Sequence, residues 1–142
     1  MGVKHQVAAI YLSKLLIQTH AGLTSLPPDV PPNTRELWLQ NNTIKTLDKM
    51  PYLQHLHDLK LSSNNVQDLP EDLLVFMRNL RLLYLDDNWL AGLVPHLGNV
   101  KQIRLAGNPF RCDCNTLWMK NWLLTHQVGN VCLTLLLLLS WW

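Results

Sequence analysis

Cysteine is scarce in this chain. Its 142 residues hold three, Cys112, Cys114 and Cys132, and none in the first two thirds. An odd set points to a free thiol, an intermolecular bond or a missing partner. Charge is also sparse, at 15% of residues against about a quarter in ordinary domains. With 48% apolar residues, that composition argues against disorder and for a well-buried chain large enough for one modest core. The net charge of +2 is spread along the sequence, which gives no sign of a nucleic-acid partner or an anionic membrane surface. Long apolar runs are missing as well. The stretch at 131–142, "VCLTLLLLLSWW", falls short of the roughly 17–25 residues of a membrane-spanning helix. It also has no polar spacer ahead of it, as a lipid-anchor signal needs. The sequence reads as cut or altered there.

The chemistry of catalysis is equally thin. No phosphate-binding loop occurs, no nucleophile is paired with a base, and the acidic residues are spread over separate segments. Nothing calls for a cofactor. His55, His57 and Asp58 offer a faint metal reading, against the commoner case of solvated surface histidines. Cys112 and Cys114 with His126 do not match the C-x₂₋₄-C spacing of zinc sites. No metal site is expected.

Residues 1–21 read as a signal-like segment or an amphipathic helix. Lys4 supplies a basic start, but Lys14 splits the apolar run into "VAAIYL" and "LLI". Gln6 stands where a myristoylation signal needs Ser or Thr.

What the sequence does contain is a repeat. "LWLQNNTIKTL" (37–47), "LKLSSNNVQDL" (59–69) and "LYLDDNWLAGL" (83–93) all fit L-x-L-x-x-N-x-[IVL]-x-x-L, and "IRLAGNPF" (103–110) begins a fourth copy. The asparagines Asn42, Asn64, Asn88 and Asn108 fall at intervals of 22, 24 and 20. Thr34, Leu56, Leu80 and Val100 each stand three residues ahead of the first apolar position. This pattern resembles the leucine-rich repeat, whose period is about 20–29 residues, and the resemblance covers residues 22–132.

The resemblance implies an α/β fold: a short leucine-rich-repeat solenoid, with a parallel sheet on the concave face and turns or short helices on the convex face. Alternation along a strand sends Leu37 and Leu39 inward and Trp38 outward. A single repeat cannot bury its apolar face, but a stack can. The asparagines carry an amide that donates and accepts, and in the family they form a structural ladder. Ile44, Val66 and Leu90, then Leu47, Leu69 and Leu93, complete the expected core. "LPEDLLVFMRNL" (69–80) is the clearest helix, with Pro70 at its start and Leu73, Phe76, Met77 and Leu80 at helical spacing. Leu23 and Leu26 stand where the tail of an earlier repeat belongs, without the cysteine cluster that precedes it in extracellular members. A helix over 7–17, through Val7, Ile10, Leu15 and Leu16, is one way to cover that end.

"NPFRCDCNTLWMKNWL" resembles the C-terminal flanking cap of extracellular leucine-rich-repeat proteins. Asn108, Pro109, Phe110, Cys112 and Cys114 fit, with Leu117, Trp118, Trp122 and Leu123 as the buried face of a cap helix. In the family the first cysteine pairs with the third, which implies a Cys112–Cys132 bond worth about 3 kcal/mol. The fourth cysteine is absent, so Cys114 has no partner. The expected layout is repeats over 22–107, a cap over 108–132 and an altered apolar tail over 133–142.

Function in this family sits mostly on the concave face. Its central column is Trp38, Lys60, Tyr84 and Arg104. The flanking columns are Glu36, Asp58, Leu82 and Gln102, then Gln40, Ser62, Asp86 and Ala106. Trp, Tyr and Arg are enriched in protein–protein hot spots, although Trp38 and Tyr84 can also simply stack on Lys60 and Arg104. Asn41-Asn42-Thr43 is a glycosylation sequon with Asn41 as acceptor. The whole looks most like the membrane-proximal repeat block of invertebrate Toll-type receptors, or a small adhesion protein with such repeats. Either implies a non-catalytic extracellular module that binds a protein ligand or partner ectodomain, and membrane attachment in a full-length form. The other reading is an intracellular repeat adaptor with reduced cysteines.

Overall fold

A computed structural model describes residues 10–12, 14–48, 52–91, 97 and 100–110. The elements run β1 (Ile10–Leu12), β2 (Leu15–Ile17), β3 (Glu36–Trp38), β4 (Asp58–Lys60), α1 (Leu73–Phe76), β5 (Leu82–Tyr84) and β6 (Gln102–Arg104). The strands form one sheet in sequence order, antiparallel between β1 and β2 and parallel from β2 to β6.

Each parallel strand is three residues long, and the middle one points in. Leu16, Leu37, Leu59, Leu83 and Ile103 are partners across successive strands, and all are buried. Leu39, Leu61, Leu85 and Leu105 form a second buried row just beyond the strands. Burying a leucine in such a stack contributes about 1.5–3 kcal/mol. Leu56, Leu80 and Val100 are buried ahead of the strands, and Thr34 occupies the same place. A threonine is tolerated there because its hydroxyl donates to the Pro31 carbonyl at 2.7 Å.

The asparagines close the bend after each strand. Asn64 accepts from the Ile44 amide through Oδ1 at 3.1 Å and donates through Nδ2 to the Leu39 and Leu61 carbonyls at 2.9 and 3.0 Å. Asn88 repeats this one coil on, accepting from Val66 and donating to Leu61 and Leu85. Asn108 does so again, with Leu90, Leu85 and Leu105. Asn42 accepts from Ala21 and Leu23 and donates to Gln18 and Leu39. Each asparagine thus joins its own coil to the previous one. The residue just before it takes a left-handed backbone in every coil: Asn41, Ser63, Asp87 and Gly107 have φ of 60°, 57°, 57° and 72°.

Two expectations need correction. The helix proposed over 7–17 is, in its described part, the β1–β2 hairpin. Lys14 sits in the two-residue turn with φ of 75°, and β2 joins the parallel sheet. A strand pairs the backbone groups at the edge of β3, whereas a helix only covers them. β2 and β3 meet instead, with Gln18 donating its amide to the Trp38 carbonyl at 2.9 Å. The stack therefore starts at β2, ahead of residue 22. Gln18 stands at the second leucine position of this coil and Ala21 at the asparagine position, which is why the motif is hard to see. A cleft of about 390 Å³ opens below it, lined largely by Leu16, Leu23, Pro27, Pro28 and Pro31.

The second correction concerns 69–80. Only Leu73–Phe76 is helical, because Met77 leaves the helical region at φ −133° and ψ 59°. Leu73, Met77 and Leu80 are buried, and Phe76 is half-buried against the core. The proposed cap helix and Cys112, Cys114 and Cys132 lie outside the described residues. Phe110, just before them, packs partly buried against the core.

Candidate binding face

The in-register sheet gathers the outward-pointing residues into columns. Trp38, Lys60, Tyr84 and Arg104 are consecutive partners across β3 to β6, and all four are half-buried. They form one stack. Lys60 Nζ lies 4.0 Å from the Trp38 ring centroid and 5.3 Å from that of Tyr84. The Arg104 guanidinium lies 4.0 Å from the Tyr84 centroid on its own side. Each contact between cation and ring is worth about 0.5–2 kcal/mol, more where water is excluded. The stack therefore holds its own long side chains in place. Ile17 continues the column on β2, which the sequence reading did not include.

The first flanking column, Glu36, Asp58, Leu82 and Gln102, also stands in register. Trp38 Nε1 donates to Glu36 Oε2 at 3.2 Å, which ties this column to the stack. Burial pushes the Asp58 carboxyl above its ordinary 3.8, and the Glu36 carboxylate beside it adds to the rise. Lys60, His57 and Arg81 pull the other way and only partly offset this. In the second flanking column, Ser62 donates its hydroxyl to Asp86 at 2.5 Å. Gln40 Oε1 and Arg104 Nε are buried without a hydrogen-bond partner among the described residues.

Asn41 is exposed at the rim of this face, and its amide donates to the Ser62 carbonyl at 3.1 Å. Glu36, Trp38, Gln40, Asp58, Lys60, Leu82, Tyr84, Asp86, Gln102 and Arg104 thus share one face, with Asn41 at its border. Among the described residues, no three His, Cys, Asp or Glu side chains are placed to hold a metal ion, so His55, His57 and Asp58 do not form such a group. The sequence reading passed over Trp89, which is 61% exposed beside the ladder residue Asn88. Its position after the asparagine, outside the strand, hid it from a column analysis.

No model of a known protein family matches the chain. It is 31% identical over 117 residues to Protein halfway of Drosophila pseudoobscura pseudoobscura, covering 74% of this chain and 20% of that protein. It is 32% identical over 101 residues to the human Leucine-rich repeat-containing protein 3B, covering 68% of this chain and 39% of that protein. The chain thus spans well under half the length of the curated relatives it matches. A solved structure of a leucine-rich-repeat protein from Leptospira interrogans superposes with a TM-score of 0.57 at 25% identity, over 72% of this chain and 28% of that one. A relative named for the repeat and a solved coil that superposes on this one lead to the same conclusion as the coil's own geometry: this chain folds as a leucine-rich-repeat solenoid.

Proposed function

We propose that this chain is a non-catalytic protein-binding module of a cell-surface or secreted leucine-rich-repeat protein, of the Toll-like receptor or adhesion type, which takes a protein ligand or partner ectodomain on its concave face. The observation that carries the reading is the stack of Trp38, Lys60, Tyr84 and Arg104, half-buried and set in advance on rigid strands. A preformed surface of Trp, Tyr and Arg lowers the ordering cost of binding. A Cys112–Cys132 bond, a glycan on Asn41 and membrane attachment of a full-length form belong to the same reading.

The test is a screen of the chain against a panel of secreted proteins and ectodomains, followed by Trp38→Ala and Tyr84→Ala on every binder. Each substitution is expected to weaken binding at least about tenfold, as hot-spot residues do. Val75→Ala, on the return segment, should leave binding unchanged. A binder that ignores both concave substitutions and responds to Val75→Ala overturns the concave assignment. A thiol count on purified protein addresses the compartment: one free thiol supports the extracellular form, and three support a reduced intracellular adaptor.

A further inference from the structure

The residue immediately before each parallel strand forms a column of its own. β2 to β6 pair in register at Leu15, Glu36, Asp58, Leu82 and Gln102. One position earlier stand Lys14, Arg35, His57, Arg81 and Lys101. The backbone joins them in series: Arg35 donates its amide to the Lys14 carbonyl at 2.7 Å, and His57 to Arg35, Arg81 to His57 and Lys101 to Arg81, each at 2.8 Å. Strands lie about 4.8 Å apart, so the column runs about 19 Å along the coil axis. Four of the chain's 12 lysines and arginines thus fall in a file one residue wide. Charges that look scattered in the sequence are gathered by the fold.

These four are exposed, His57 is half-buried, and no ion pair among the described residues holds any of them. His57 and Arg81 attract the Asp58 carboxylate, whereas Lys14, Arg35 and Lys101 have no such partner among the described residues. At its far end, Arg78, Asn79, Leu80, Arg81 and Lys101 line a shallow basin of about 340 Å³, with no carboxylate among its described lining residues. Arg78 is positioned there by donating from Nη2 to the Tyr52 hydroxyl at 2.6 Å. Glu36 and Asp58 flank the early part of the file, whereas Leu82 and Gln102 flank Arg81 and Lys101. The basin gathers three of the cations, Arg78, Arg81 and Lys101, of which Arg81 also feels the Asp58 carboxylate.

We propose that this basic edge binds a linear sulfated polysaccharide, laid along the coil axis with its sulfates on the file and its densest contacts at Arg78, Arg81 and Lys101. Guanidinium forks suit oxyanions on a flexible linear chain. The shape of the file disfavours the other polyanions. Single-stranded nucleic acid needs open aromatic faces for stacking, and the nearby Tyr84 is covered by Lys60 and Arg104. An extended acidic peptide presents same-side carboxylates at about 6.6 Å, every second residue, and falls out of step with a 4.8 Å file. The site is separate from the concave stack, so either reading can fail alone.

The experiment uses the full chain and a heparin-derived octasaccharide, followed by calorimetry at low and moderate salt. Comparison arms are a DNA duplex of equal charge, a polyglutamate peptide and phosphatidylserine vesicles. The octasaccharide should bind best. Arg81→Gln with Lys101→Gln should weaken it by about tenfold and flatten its salt dependence, and Arg35→Gln should weaken it less. Lys45→Gln, an exposed lysine off the file, should leave affinity unchanged, with all variants melting like the parent. The proposal is overturned if the octasaccharide does not bind, or if Lys45→Gln weakens it as much as the file pair does. It is equally overturned if the duplex, the peptide or the vesicles bind more tightly.

Discussion

At the scale of single residues, the asparagines do the most specific work. Asn64 satisfies the Ile44 amide and two buried carbonyls at once, and each would otherwise be a polar group cut off from water. Asn64→Ala is expected to cost about 3 kcal/mol, because it orphans groups at about 1–3 kcal/mol each. Urea unfolding checks this. Loss below about half a kcal/mol would mean that water replaces the amide. Asp58 makes the opposite kind of contribution. Its folded-state pKa is raised, so the folded protein holds that proton more tightly than the unfolded chain. The stability tied to the proton is present below 3.8 and is lost as pH rises through the folded value. Ionised Asp58 therefore weighs against folding at neutral pH. Asp58→Asn should raise the thermal midpoint at pH 7 and lose that advantage near pH 3. Equal midpoint differences at both pH values would show that burial and Glu36 do not govern this carboxyl.

At the scale of elements, the strands matter through their neighbours. Three residues have little strand preference of their own, and register comes from stacking leucine over leucine. This explains why β3, β4 and β5 are readable in the sequence and β2 is not. "LLIQTHAGL" keeps Leu16 and Leu23 but replaces the second leucine by Gln18 and the asparagine by Ala21. The apolar spacing at 7–17 suits a helix equally well, and only the unpaired edge of β3 favours a strand. α1 illustrates the converse. Its sequence favours a longer helix, yet Met77 leaves the helical region after one turn and is buried with Leu80 in the core ahead of β5. A coil of this kind opens in units. Leu16→Asp should therefore release the hairpin alone: amide exchange at Gln18, which bonds to Trp38, should speed up about tenfold or more. Leu61, which bonds to Tyr84, should keep its protection. Simultaneous loss at both amides would show that the hairpin folds as one unit with the rest.

At the scale of the whole molecule, the parallel register turns a repeat in sequence into columns in space. The concave stack and the basic file are both products of that operation. The stack was legible in advance, because Trp38, Lys60, Tyr84 and Arg104 share a position in recognisable motifs. Stacking of Trp38 and Tyr84 on Lys60 and Arg104 was legible only as one alternative, because which cation lies on which ring depends on rotamers that sequence does not carry. The basic file was illegible for a different reason. It includes Lys14 from the disguised coil and has His57 in its middle, so linear inspection finds four cations and a histidine, each separated from the next by 20 or more residues. The periodic leucines and asparagines alone were enough to require a stacked coil, since only stacking buries the first and satisfies the second. Where the coil begins, how short its helix is and which charges stand side by side were decided by the folded chain. Those features depend on edge pairing and strand register, which are interactions between repeats rather than properties of any one of them.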